Sequence, residues 1–165
     1  MREDPDADVP AAVAAAAAGA PFAVVRMPRP PTSALESATM QGIALERLLR
    51  TIVIRRGRED YLFVLVPGGR TIDWARLRAH LGVRKLSLPD QDEAMAATGY
   101  ERGAITPFGS SAAWPVIADT SIVGADLVAI GGGVRGVNLH LRADDLIAAV
   151  GAEVADVTRA DEPPG

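Results

Sequence analysis

Thr51-Ile52-Val53-Ile54-Arg55 and Tyr61-Leu62-Phe63-Val64-Leu65-Val66 are two runs of β-branched, aliphatic and aromatic residues separated by a polar stretch containing Gly57. They spell a β-hairpin, because such side chains pack well on a pleated surface and the polar stretch between them turns the chain. An antiparallel pair in mid-chain rules against a purely parallel, doubly wound sheet. Upstream, the alanine-rich run Val9 to Ala18, with Pro10 near its start and Gly19 past its end, predicts a short helix. Its small side chains make it a packing spacer. Pro21 to Arg26 reads as a strand that Pro28, Pro30 and Pro31 end. Ser33 with Glu36 three residues on forms a capping box for a helix to about Gln41, stopped by Gly42, and Leu45 to Leu49 is a helical turn.

Downstream, Trp74, Leu77 and Leu81 share one face of a helix from about Ile72 to Leu81, and Val83 to Leu88 reads as a strand. Asp90 and Glu93 cap a helix running to Ala97. Three strands follow, at Trp114 to Ala118, Asp126 to Ile130 and Val137 to Leu141, and a helix from Asp144 to Val150 closes the pattern. Helices and hairpins so interleaved predict an α/β fold of the α+β type, a mixed and strongly curved sheet with helices around it.

A chain of 165 residues, 48% of them apolar, can bury one sizeable core without a disulfide. One domain is expected over 9–159, between disordered tails at 1–8 and 160–165. With no cysteine there is no thiolate chemistry, and His80 and His140, the only histidines, stand sixty residues apart without a metal-ligand pattern around them, so no metal site is expected. No apolar run is long enough to span a membrane, and the acidic start lacks a signal peptide's charge, so the expected place is the cytoplasm. No cofactor is implied. The net charge is −4, but its distribution is uneven: ten basic residues stand against three acidic ones from Arg47 to Lys85, and seven against eighteen elsewhere. If those arginines share a surface they bind phosphate; otherwise they are a solvated face.

Ala97-Thr98-Gly99-Tyr100-Glu101-Arg102-Gly103-Ala104-Ile105-Thr106-Pro107-Phe108-Gly109 carries three glycines and a proline, which let the chain hold a bent loop with exposed peptide groups. Such a loop can act through main-chain N–H and C=O groups. Gly103-x-x-x-Pro107-Phe108-Gly109 resembles the signature loop of the YbaK/prolyl-tRNA-synthetase-associated family, single-domain proteins that hydrolyse mischarged aminoacyl-tRNA. The resemblance extends from about Phe22 to Thr158 through Gln41 to Val53, Pro115 to Asp119 and Gly131-Gly132-Gly133-Val134-Arg135-Gly136.

The resemblance implies a sheet closing towards a barrel with an open cleft, and an aminoacyl-tRNA acceptor end as partner, with prolyl-tRNA synthetase as a candidate second one. It implies catalysis by Arg50, Asp119 and the loop residues Gly103, Ala104, Ile105, Thr106 and Pro107. Substrate binding falls to Thr51, Tyr100, Phe108, Gly109, Gly131, Gly132, Gly133 and Arg135. Arg50 stands where the family carries a lysine that contacts the tRNA's terminal nucleotide. Arginine keeps the charge and grips phosphate bidentately, but its planar fork is less adaptable than an ammonium. The implied reaction is hydrolysis of a small amino acid, cysteine or alanine, from proline tRNA.

Plainer readings stand beside these. Gly103 and Pro107 are also ordinary turn formers, Asp119 at a strand end is also a cap, and Trp74 and Trp114 suit a core wall. Gly131-x-Gly133-x-x-Gly136 fits a dinucleotide fingerprint, but Val137 to Leu141 alternates as a strand where that fingerprint needs a helix, so it reads as a hairpin loop. Ser110-Ser111 has no nucleophile-elbow context. The rival to an enzyme is a binding module of the same fold, impaired by the change to Arg50, and a weaker third reading is a nucleotide-binding protein.

Overall fold

The computed structural model describes residues 6–162. Helices α1 (Pro10–Ala17), α2 (Ala34–Gln41), α3 (Trp74–Leu81), α4 (Gln91–Thr98) and α5 (Ala143–Val150) alternate with nine strands. These are β1 (Ala23–Arg26), β2 (Leu49–Gly57), β3 (Asp60–Pro67), β4 (Arg70–Ile72), β5 (Val116–Asp119), β6 (Val128–Gly131), β7 (Val137–Leu141), β8 (Glu153–Ala155) and β9 (Thr158–Ala160).

The hairpin forms as read. β2 and β3 pair antiparallel, with Thr51 opposite Leu65 and Val53 opposite Phe63. β5 then joins β3 in parallel and β8 joins β5 in parallel, giving the mixed sheet β2-β3-β5-β8. β1-β7-β6 is a separate antiparallel sheet, and β4 pairs with β9. The expectation of one sheet closing towards a barrel is corrected here. The main chains of the first two sheets are joined at a single parallel bridge, Leu48 to Ala129, and closure would need a continuous ladder there.

β3 is buried from Tyr61 to Pro67, so its alternation feeds two cores instead of one core and solvent. Phe63 and Leu65 enter the larger core with Leu49, Val53, Ile130, Leu139 and Leu146. Leu62, Val64 and Val66 enter the smaller one with Ile54, Leu77 and Ile117. α1 acts as the spacer its alanines suggest, burying Ala11, Ala12 and Ala15. The caps are also as read. Ser33 accepts the Glu36 N–H at 3.0 Å and Asp90 accepts the Glu93 N–H at 2.8 Å.

The strand expected at Val83 to Leu88 reduces to one bridge, Arg55 to Ser87. The tails expected at 1–8 and 160–165 lie outside the described residues at 1–5 and 163–165. Within the rest of them, Asp6 and Asp8 pair with Arg26, and the Asp161 N–H donates to the Gly69 carbonyl at 2.9 Å.

Candidate functional site

β2 is paired along only one edge. Leu48 gives its carbonyl to Gly68 on the β3 side, whereas Arg55 exchanges both its main-chain bonds with Ser87 on the other. Main-chain groups of successive strand residues point to alternate edges, so Thr51 and Val53 face the Arg55 side. That edge is bridged only at its ends, by Leu48 to Ala129 and Arg55 to Ser87. Between the two bridges the edge opens onto a cleft of about 1110 Å³.

Of the residues expected at the site, Arg50, Thr51, Gly103, Ile105, Gly131 and Arg135 line this cleft. Gly131 brings its strand end against the signature loop so closely that a Cβ there would lie 3.0 Å from the Ile105 carbonyl oxygen. The loop's main chain is thereby held beside the glycine loop. Thr51 Oγ1 is buried and has no hydrogen-bond partner among the described residues. A buried hydroxyl in that state is about 1–3 kcal/mol less favourable than a satisfied one, so a ligand atom that reaches it gains that difference.

The other expected residues lie elsewhere. Ala104, Thr106 and Phe108 are buried, and the Thr106 hydroxyl accepts the Phe108 N–H at 3.3 Å. Tyr100 donates to the Phe108 carbonyl at 2.6 Å, and burial pushes its phenol pKa up. Gly109 and Gly133 are packing positions against that tyrosine, since a Cβ on Gly109 would sit 2.8 Å from its hydroxyl and one on Gly133 2.9 Å from its ring. Gly132 accepts the Ala11 N–H at 3.1 Å, tying α1 to the glycine loop. Pro107 is half-buried and off the cleft lining.

Asp119 is wholly buried, away from the cleft lining. Its carboxylate accepts the Val157 and Thr158 N–H groups at 3.0 Å each and the Ser121 N–H at 3.1 Å, and the Ser121 hydroxyl also donates to it. Burial works to raise its pKa, but these hydrogen bonds outweigh that and hold it below the usual carboxylate value. Arg70 lies 3.8 Å from it, and the Arg70 carbonyl accepts from Arg50 Nη2 at 2.7 Å. Asp119 thus ties the end of β5 to the β8–β9 turn.

The sequence reading missed Asn138, Ser37 and Arg102, all on the cleft lining. Asn138 and His140 alternate with buried residues of β7, a pattern that resembles an ordinary solvated face. α2 covers that face instead: His140 Nε2 lies 2.8 Å from Gln41 Oε1, and burial lowers the histidine's pKa. No histidine lines the cleft, and among the described residues no three His, Cys, Asp or Glu side chains gather as a metal site. No helix among them is long and apolar enough to cross a membrane. Half of the basic segment is engaged: Arg47, Arg55, Arg56, Arg70 and Arg76 lie within ion-pair distance of carboxylates, whereas Arg58, Arg78, Arg84 and Lys85 have no ion pair among the described residues.

A mixed sheet with peripheral helices and a cleft floored by main chain is a fold shared with solved structures. One of them, described as a candidate trans-editing enzyme for prolyl tRNA synthetase, superposes with a TM-score of 0.85 over 96% of this chain and 100% of its own, at 24% identity. Residues 29–149 match the aminoacyl-tRNA editing domain, and the chain belongs to that family. It is similar to EbsC of Enterococcus faecalis, named as a candidate Cys-tRNA(Pro)/Cys-tRNA(Cys) deacylase, at 23% identity over 76% of this chain and 77% of that protein. It is also similar to a proline–tRNA ligase of Thermosipho melanesiensis, at 28% identity over 66% of this chain but only 20% of the ligase.

Proposed function

We propose that this protein hydrolyses the ester bond of mischarged aminoacyl-tRNA in trans, releasing a small amino acid such as cysteine or alanine from proline tRNA in the cytoplasm. The unit responsible is the single domain expected over 9–159. The observation that carries the reading is the meeting, in one cleft, of the open β2 edge with the Gly103 to Ile105 loop. Both surfaces offer main-chain groups, and the orphaned Thr51 hydroxyl lies between the bridges that bound the edge.

Fixed dipoles of this kind hold a small aminoacyl group and polarise its carbonyl without reorganising during the reaction. A water held against them attacks the ester carbon. The bond to the ribose oxygen breaks, that oxygen leaves with one of the water's protons, the other passes to solvent, and the amino acid departs as its carboxylate. The resemblance adds the neighbouring ribose hydroxyl as the group that relays the proton. A rigid cleft rejects larger side chains by shape, the logic of a second sieve.

Proline tRNA charged separately with cysteine, alanine, serine or proline tests this. Ester loss from at least one small amino acid, with prolyl-tRNA spared, is the expected result. Four esters that survive at the rate without protein would sink the proposal. The contact of Arg50 with the Arg70 carbonyl favours a second reading, a tRNA-end binding module impaired at this position. On that reading the parent is inactive and Arg50→Lys gains deacylation.

A further inference from the structure

Arg102 and Arg135 are set apart by their place: with Arg50 they are the arginines on the cleft lining. Elsewhere, arginines such as Arg47 and Arg56 pair with carboxylates, Arg58, Arg78, Arg84 and Arg142 are off the cleft lining, and Arg50 is turned onto the Arg70 carbonyl. Arg102 and Arg135 are exposed, line the cleft, and have no ion-pair partner among the described residues. They come from two loops that meet. Arg135 Nε lies 3.8 Å from the place a Cβ on Gly103 would take, so the glycine-loop arginine rests over the signature loop beside Arg102's own position.

The acids on the same lining offset them only in part. Asp90 is occupied as the α4 cap, and Glu101 is exposed. Two free guanidiniums on adjoining loops suit phosphates of a flexible single strand, since each planar fork can take one phosphate bidentately.

Resting on the cleft's proposed role as an acceptor-end site, we infer that Arg102 and Arg135 form a clamp on the backbone phosphates next to the aminoacylated nucleotide, and that Arg50 does not contact them. The positive charge that serves the tRNA end has passed from β2 to the two loops. Binding through two phosphates carries a defined salt signature, because each neutralised phosphate of a single strand adds about 0.7 to the slope of log affinity against log salt.

The test is equilibrium binding of an uncharged proline-tRNA minihelix ending in its single-stranded CCA, at several salt concentrations, beside deacylation assays. Arg102→Ala with Arg135→Ala should weaken binding about tenfold or more and lower the salt slope by about 1.4. Arg50→Ala should leave the slope unchanged. A minihelix trimmed of its single-stranded end should bind parent and double variant alike. Lysine at both positions should restore the slope but not the full affinity. A double variant with the parent's affinity and slope, or a slope lost on Arg50→Ala instead, overturns the clamp; if the parent still deacylates, the function proposed above survives that result. A parent that binds no minihelix also overturns the clamp, and if it deacylates nothing the functional reading falls with it.

Discussion

The two edges of β2 are opposites. Towards β3 the strand is paired residue by residue from Leu49 opposite Pro67 to Arg55 opposite Tyr61, resumes at Gly57 opposite Asp60 after a bulge, and β3 hands the sheet on to β5 and β8. Towards the cleft the same strand is touched only at Leu48 and Arg55. An open edge is ordinarily a liability, because unpaired main-chain groups invite pairing with another chain. Here the signature loop, the glycine loop and α2 rim it. Stability and chemistry are divided between edges of one strand, and the division can be broken from either side.

The largest effect on stability is expected on the closed side. Asp119→Ala leaves the Val157, Thr158 and Ser121 amides without their acceptor in a buried site. At about 1–3 kcal/mol for each unsatisfied group, with some recovered by relaxation, about 3 kcal/mol of stability should go. Urea unfolding midpoints would measure it. Because the folded carboxyl has a lowered pKa, its contribution is complete above the unfolded value near 3.9 and is lost as pH falls through the lower folded value. The gap between parent and Asp119→Asn should therefore narrow on acidification below that range. Molecules that remain folded should still deacylate, and an activity that vanishes while folding is intact would return Asp119 to the chemistry.

On the open side the order of effects reverses. Gly103 has φ +90 and is exposed, with space for a side chain. Valine there meets backbone strain, not a clash, and should cost about 1–2 kcal/mol of stability. Deacylation should fall by much more, at least about a hundredfold, because the strain moves the loop's peptide groups and an error of one ångström at a reacting centre is worth that much. A Gly103→Val protein that works at the parent rate removes the loop from the mechanism.

The parts legible in sequence were those governed by local chemistry. The β2–β3 hairpin, the caps at Ser33 and Asp90, and the glycine loop as a hairpin between β6 and β7 follow from propensity, side-chain acceptors and alternation. β4, β8 and β9 were not legible, because three residues cannot show a period and the pairing of Arg70 with Ala160 is decided by tertiary packing. At the site, the motif brought out Arg50, Thr51 and Gly103 together. It did not distinguish loop residues that face the cleft from those such as Tyr100, Thr106 and Phe108 that hold the loop's shape, since burial is not written in spacing. Arg102 carries no periodic signal. It is conspicuous only once the fold places it on the cleft lining beside Arg135.

The smallest change sharpens the comparison most, because fold and function should move in opposite directions. Thr51 and valine have nearly the same volume, and the Thr51 hydroxyl is buried without a partner. Thr51→Val therefore removes an unsatisfied oxygen with little change of shape at a position opposite Leu65 across the hairpin. The free protein should gain about 1 kcal/mol, read as a raised urea midpoint. If the hydroxyl is unsatisfied because it waits for a polar atom of the aminoacyl end, deacylation should fall about tenfold even as stability rises. A valine variant that is more stable and equally active would make Thr51 a packing residue at the cleft wall. One that is less stable would mean the hydroxyl already has a partner, and the open edge would lose its clearest invitation to a ligand.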